Sequence, residues 1–98
     1  MIKAEVRRAN GERLRRLVID PDFNPVLDGV SVAAYPMLSS IDPYGDTVFN
    51  HLQVKRIIEE IARYSGEAEG ISEFLSELRE LCVFSLGAPH RYLWFIGD

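Results

Sequence analysis

An Asn-Gly pair at positions 10 and 11 constrains the fold of this chain more than any other local feature. The residues before it, 2–7, alternate between apolar and charged side chains, which is the period of a half-buried strand. The residues after it, RLRRLVI, place apolar side chains on both sides of a second strand. Asn-Gly favours a type I′ turn, because both central positions of that turn take a positive φ. The sequence therefore predicts a β-hairpin with strands at 2–8 and 13–20.

The middle of the chain predicts one further strand and two helices. Turn-forming residues at 20–25 (DPDFNP) stop the second strand, and a third strand is predicted within 30–38. Pro36 places that strand at an edge or a bend of the sheet, because it has no N–H to donate. Helices are predicted at 47–65 and at about 70–84, where apolar residues recur at helical spacing.

Each predicted helix has one apolar stripe. In the first helix the stripe consists of Val54, Ile57, Ile58, Ile61 and Ala62, and the polar face of Lys55, Arg56, Glu59, Glu60 and Arg63. In the second helix the stripe consists of Ile71, Phe74, Leu75, Leu78 and Cys82. A helix with a single stripe must bury it against another layer of the fold.

The tail RYLWFIG, residues 91–97, is predicted to be a strand because it is rich in aromatic and branched side chains. Its apolar side chains point both ways, which is typical of a central strand covered on both faces or at an interface. The element order is thus β-β-β-α-α-β. The sequence predicts an α+β fold in a single small domain, 1–98, with a mostly antiparallel sheet and two helices packed on one face.

Length and composition exclude several classes of protein. A chain of 98 residues that is 47% hydrophobic can form one domain with a real core. The single cysteine, Cys82, cannot form an internal disulfide, and the N-terminus lacks the apolar segment of a secretory signal. No apolar run approaches the roughly 20 residues that span a bilayer. We therefore expect a cytoplasmic protein that does not bind membranes.

The net charge of −4 at pH 7 is distributed unevenly. Residues 1–16 carry six basic and two acidic side chains, whereas residues 17–50 carry five aspartates and neither Lys nor Arg. An acidic segment without counter-charges indicates a surface for a cationic partner, or a segment that the N-terminal arginines neutralise once the chain has folded. The sequence leaves both interpretations open.

The stretch DPYGDTVFN, residues 42–50, has the residue types of a metal-binding loop. An EF-hand loop that began at Asp42 would require an oxygen ligand at position 3, a glycine at 6 and a glutamate at 12. Those positions hold Tyr44, Thr47 and Gln53. Asp46 fits better as the N-cap of the following helix, where its carboxylate can accept from free backbone N–H groups. We therefore predict no metal site.

No spacing of residues supports nucleophilic catalysis. The chain has no G-x-S-x-G turn, and Ser39 and Ser40 have no histidine at a fixed local offset. Cys82 lies on an apolar stripe and is expected to be a buried, unreactive thiol. We therefore expect no catalytic residues.

The two histidines, His51 and His90, fall short of a zinc site. They support an alternative function, a small enzyme or ligand-binding domain that pairs one imidazole with Asp42 or Asp46 near the start of the first helix. Glycines form neither a P-loop nor a dinucleotide fingerprint, so no cofactor is expected.

The arginines of the hairpin do not form one stripe, since Arg13 and Arg15 lie on one side of a strand and Arg16 on the other. The hairpin also has no aromatic residue that could stack on bases, and the chain is acidic overall. We therefore expect no nucleic-acid partner.

These features suit a non-catalytic protein-interaction module that presents an acidic surface to a basic partner, as small bacterial immunity and antitoxin proteins do. The predicted partner-binding residues are Asp22, Phe23, Asp28, Asp42, Tyr44 and Asp46. The aromatic residues of the tail, Tyr92, Trp94 and Phe95, indicate a second option, a homodimer joined through the C-terminal strand.

Overall fold

The computed structural model describes residues 2–17, 31–64 and 71–97. The elements in chain order are β1 (Lys3–Arg8), β2 (Arg13–Arg16), a 3-10 helix (Leu38–Ser40), β3 (Asp46–Phe49), α1 (His51–Arg63), α2 (Ile71–Leu86) and β4 (Arg91–Ile96). The predicted α+β fold and its β-β-β-α-α-β order are confirmed.

The four strands form one antiparallel sheet in the order β2-β1-β4-β3. The last strand in the sequence therefore lies in the centre, between β1 and β3, as the apolar side chains on both of its sides predicted. Leu93 of β4 lies opposite Val6 on one side and Phe49 on the other. All three side chains are buried, so they mark the face of the sheet that carries the core.

The hairpin is confirmed, but its turn differs from the predicted type I′. Arg8 N donates to Glu12 O at 2.9 Å, and Gly11 N donates to Arg8 O at 2.8 Å. Gly11 has a φ of 91°, and Asn10 does not have a positive φ. These features define a three-residue loop that ends in a left-handed glycine. The register also shifts between Val6 and Arg7, where β2 has one residue more than β1. Residues 18–20 of the predicted second strand lie outside the described residues.

The prediction of a strand within 30–38 is wrong for the described part, 31–38, which forms turns and leads into the 3-10 helix. Local bonds shape this segment: Tyr35 N donates to Ser31 O at 2.8 Å, and Ser39 N donates to Tyr35 O at 2.9 Å. The third strand is β3, in the stretch that was predicted to be a loop and a helix start. Its Phe49 is buried edge-to-face on Phe95, with ring centroids 5.7 Å apart.

Helix α1 begins at His51, and its N-cap is Asn50 rather than the predicted Asp46. Asn50 Oδ1 accepts from Gln53 N at 3.0 Å, and Gln53 Oε1 accepts from Asn50 N at 2.9 Å. This reciprocal pair is a capping box, which satisfies two otherwise free N–H groups. Asp46 cannot cap the helix, because it is the first residue of β3.

Both helices pack on one face of the sheet, as predicted. Arg91 of β4 closes the end of α2, because its guanidinium donates to Phe84 O at 2.8 Å and lies 4.3 Å from the Phe84 ring. The buried apolar residues are Ile2, Ala4, Val6, Leu38, Ile41, Phe49, Val54, Ile57, Ile61, Phe74, Leu78, Leu81, Cys82, Leu93 and Phe95. The core is therefore one layer between the sheet and the two helices.

Glu60 was predicted to lie on the polar, solvent-facing side of α1. This prediction is wrong, because its side chain is only 2% exposed. Its two carboxylate oxygens accept from Leu38 N at 2.9 Å and from Met37 N at 3.0 Å. These bonds hold the 3-10 segment against the helix, so that Leu38 and Ile41 can close the core. Ala62, predicted on the apolar stripe, is exposed instead.

Replacement of Glu60 tests this buried carboxylate. Glu60→Gln leaves one oxygen to accept and turns an amide N–H₂ toward a backbone N–H. We expect the free energy of unfolding to fall by about 2–3 kcal/mol, the range for hydrogen bonds to a charged acceptor. The matched change at its exposed neighbour, Glu59→Gln, should cost no more than about 0.5 kcal/mol. Urea unfolding followed by circular dichroism measures both, and equal losses would contradict the role of Glu60.

Candidate functional site

The loop of residues 41–46, called here the acidic loop, is held by hydrogen bonds at several points. Asp42 Oδ1 accepts from Tyr44 N at 2.9 Å, and Asp42 N donates to Thr47 Oγ1 at 2.9 Å. Ile41 anchors the start of the loop in the core. An aspartate that accepts from the N–H two residues on is a common way to fix a tight turn. The loop therefore has a defined shape before any partner binds.

Gly97, which directly follows β4, contacts the same loop. Gly97 N donates to Gly45 O at 2.8 Å. A Cβ atom built on Gly97 would lie 2.5 Å from the backbone C and O of Pro43, closer than real Cβ contacts. Only a glycine allows this approach without moving the loop. Strand β4 thus positions the acidic loop directly.

The side chain of Tyr44 is 82% exposed at the tip of the acidic loop. Asp42 and Asp46, two residues to either side of it, are also exposed. The predicted partner-binding residues Asp42, Tyr44 and Asp46 therefore lie together on one loop. The other three, Asp22, Phe23 and Asp28, lie outside the described residues.

Three of the hairpin arginines pair with carboxylates of the hairpin itself. Arg7 Nε lies 2.6 Å from Glu5 Oε2, and Arg13 lies 4.0 Å from the other oxygen of Glu5. Arg8 pairs with Glu12 at 3.1 Å. Neither Asp42 nor Asp46 forms an ion pair within the described segments. Of the two interpretations of the acidic span, neutralisation by these arginines therefore does not apply to Asp42 and Asp46.

A second feature is a pocket of about 300 Å³ at the start of α1 that brings the two histidines together. Its lining consists of Asn50, His51, Leu52, Pro89, His90, Arg91 and Tyr92. Nε2 of His51 is buried and has no hydrogen-bond partner among the described residues. Sequence reasoning gave no local spacing that joins these histidines, because β4 and α1 meet only in the folded sheet.

The pocket does not contain the carboxylate that the enzyme alternative requires. Asp42 and Asp46 do not line it, and Asp46 lies at the opposite end of β3. Across residues 2–17, 31–64 and 71–97, no group of three or more His, Cys, Asp or Glu side chains is placed to hold a metal ion. The pocket therefore offers two imidazoles but no acid–base pair with an aspartate.

The third feature is the face of the sheet opposite the helices, called here the open face. The residues on it are Lys3, Glu5 and Arg7 of β1, Arg13 and Arg16 of β2, Asp46 and Val48 of β3, and Tyr92, Trp94 and Ile96 of β4. Trp94 and Tyr92 are half-buried on it, while Phe95 is fully buried on the core face. The tail was predicted to be covered on both faces or to lie at an interface, and among the described residues helices cover only the core face.

Cys82 is buried in α2, as predicted, and burial raises the pKa of its thiol to about 12 from an ordinary value of 9.0. The cause is the loss of water around the thiolate. At pH 8 the ionised fraction should therefore be about a thousandfold lower in the folded protein than in the unfolded chain.

This thiol should accordingly fail to react with Ellman's reagent at pH 8 until the protein is denatured. Absorbance of the released thionitrobenzoate, with and without urea, measures the difference. Reaction of the native protein at the rate of a free thiol would show that Cys82 is accessible.

None of the helices in the described segments is both long and apolar enough to cross a membrane. Comparisons with known proteins returned no match: the chain matches no protein-family model, no curated protein and no solved structure. Function is therefore inferred from the three surface features above.

Proposed function

We propose that this protein is a non-catalytic protein-interaction module that binds a basic protein through its acidic loop. The observation that carries this proposal is the exposure of Tyr44, which at 82% is higher than that of any other exposed large apolar side chain of the described residues. Asp42 and Asp46 flank it and have no cationic neighbour in ion-pair contact among the described residues. Tyrosine is enriched at protein interfaces, so an exposed tyrosine between two carboxylates that form no ion pair among the described residues suits a contact site.

The rigidity of the loop supports the same function. Ordering a flexible loop on binding costs free energy, and a loop that is already fixed avoids that cost. The bonds of Asp42 to Tyr44 N–H and to Thr47, with the contact of Gly97 beneath Pro43, fix this loop in the free protein. Tyr44 is therefore presented in one place, as an anchor residue should be.

The charge of the chain supports a basic partner. The net charge of the chain is −4, and two of its carboxylates, those of Asp42 and Asp46, are exposed on the acidic loop. Complementary charge raises the rate of encounter and selects against acidic partners. Small bacterial immunity and antitoxin proteins neutralise basic toxins in this manner, and we propose a role of this type.

Substitutions in the acidic loop test the proposal. Tyr44→Ala should weaken binding of the basic partner about thirtyfold, since an anchoring tyrosine contributes about 2 kcal/mol. Asp42→Asn retains the oxygen that accepts from Tyr44 N–H but removes the charge, so we expect a smaller loss and a weaker dependence on salt. Immobilised wild-type and variant proteins are compared by the basic proteins they retain from a lysate of the source organism, quantified by mass spectrometry at low and high salt.

The matched control is Val83→Ala, which removes another exposed apolar side chain, 51% exposed, on α2 and outside the acidic loop and the histidine pocket. It should retain the same basic proteins as the wild type. Retention of the same proteins in equal amounts by the wild type, Tyr44→Ala and Asp42→Asn would contradict the proposal.

A further inference from the structure

The open face has an apolar and aromatic centre. In one row across the sheet, Glu5 of β1 lies beside Trp94 of β4, and Trp94 lies beside Val48 of β3. Tyr92 and Ile96 flank Trp94 on the same strand and are also half-buried. Val48 is 42% exposed. No described helix or strand covers these side chains, because α1 and α2 pack on the other face.

The charged residue at the centre of the open face is already paired. Glu5 is only 5% exposed, and its carboxylate is bonded by Arg7 at 2.6 Å. The guanidinium of Arg7 lies 4.5 Å from the centroid of the Trp94 ring. Trp94, Arg7 and Glu5 therefore form a stacked, internally neutral centre, which loses little when water is removed from it.

The unpaired charges of the open face are separated toward its two edges. The β2 edge carries Arg16, which is exposed and forms no ion pair among the described residues, beside Arg13, which lies 4.0 Å from Glu5. The exposed Lys3 adds a positive charge on the neighbouring strand β1, and the β3 edge carries the exposed Asp46. Arg16 lies opposite Glu5, and Asp46 lies opposite Ile96. One edge of the face is therefore cationic and the other anionic.

We propose that the open faces of two copies of this chain pack against each other as a symmetric dimer. A two-fold axis parallel to the strands and between the two sheets places the β2 edge of each copy over the β3 edge of the other. Arg16 of each copy then lies over the row of Val48, two residues or about 7 Å along β3 from Asp46 of its partner copy, a gap that the Arg16 side chain can span. The two Trp94–Arg7 stacks meet in the centre. The opposite charges on the two edges thus make the face complementary to itself.

The area of the face sets the strength of this dimer. Four strands about 4.8 Å apart and six residues at about 3.4 Å each give a face of about 400 Å² per copy. The pair therefore buries about 800 Å² in total, which is below the roughly 1,200–2,000 Å² of stable interfaces, so the dimer should be transient and populated only at high micromolar concentrations. Asp46 belongs both to this contact and to the acidic loop, whereas Tyr44 and Asp42 precede β3 and lie outside the contact. Tyr44→Ala and Asp42→Asn should therefore leave self-association unchanged, which distinguishes failure of this inference from failure of the acidic-loop function.

Trp94 is the single tryptophan, so its emission reports on the open face alone. The native protein is diluted from about 500 µM, a concentration chosen because an interface of this size is weak, to about 1 µM. The emission of Trp94 should then shift to longer wavelength as water reaches the ring. Sedimentation velocity over the same range should show a dimer that dissociates into monomers. A protein that remains monomeric throughout overturns the proposal.

A charge exchange tests the geometry. Arg16→Glu and Asp46→Arg should each weaken self-association at least tenfold, because each puts like charges at both edge contacts. A mixture of the two variants should form a heterodimer at nearly wild-type strength, since Glu at 16 then meets Arg at 46 and Asp46 meets Arg16. The matched controls are Arg56→Glu and Glu59→Arg on the exposed side of α1, which should dimerise like the wild type.

Circular dichroism confirms that each variant is folded before it is compared. Folded single variants that dimerise like the wild type, or a mixture that stays monomeric, would overturn the two-fold arrangement. A monomeric wild type whose Trp94 emission is quenched by a single-stranded oligothymidylate would instead assign the open face to nucleic acid.

Discussion

The pairing of β4 with both β1 and β3 is the interaction on which the rest of the structure depends. The hairpin β1-β2 and the strand β3 do not pair with each other, so only β4 joins them into one sheet. Its side chains alternate between the two faces. Leu93 and Phe95 enter the core, and Tyr92 and Trp94 lie on the open face. A single strand therefore builds the centre of the core and the centre of a surface.

The same strand also places the other two surface features. At its start, Arg91 and Tyr92 line the pocket that contains His51 and His90. At its end, the backbone of Gly97 bonds to Gly45 and lies against Pro43, which fixes the acidic loop. The acidic loop and the open face are thus supported by the most deeply embedded strand, whose position varies least in a folded sheet. Rigid support of this kind lowers the conformational cost of binding at a surface.

The sequence predicts those parts of the fold that local pattern determines. Alternation, helical spacing and the Asn-Gly pair identified the hairpin, both helices and the last strand. Their order predicted the α+β fold, which the structure confirms. Local pattern could not choose between Asp46 and Asn50 as the helix cap, because both residue types cap helices well. The choice follows from the pairing of β3 with β4, which uses residues 46–49 as a strand. A strand of four residues beside a turn is too short for a periodic signal.

Other features depend on contacts between distant segments, and the sequence could not predict them. Glu60 has the position of a solvent-facing residue of α1, and only the N–H groups of Met37 and Leu38 explain its burial. The two apolar sides of the tail predicted either cover on both faces or an interface, and the helices of the described segments cover one face. Tyr44 is exposed because the turn at Pro43–Gly45 places its side chain at the tip of the loop, away from the sheet.

The most direct test of the two-sided role of β4 compares Phe95→Ala with Trp94→Ala in urea unfolding at low micromolar concentration. Phe95 is fully buried, and its truncation should lower the free energy of unfolding by about 3–5 kcal/mol. Truncation of Trp94, although it removes the larger side chain, should cost less than half as much, because that ring is already partly in water. Equal losses, or a larger loss at Trp94, would show that both faces of β4 are core and would contradict the open face.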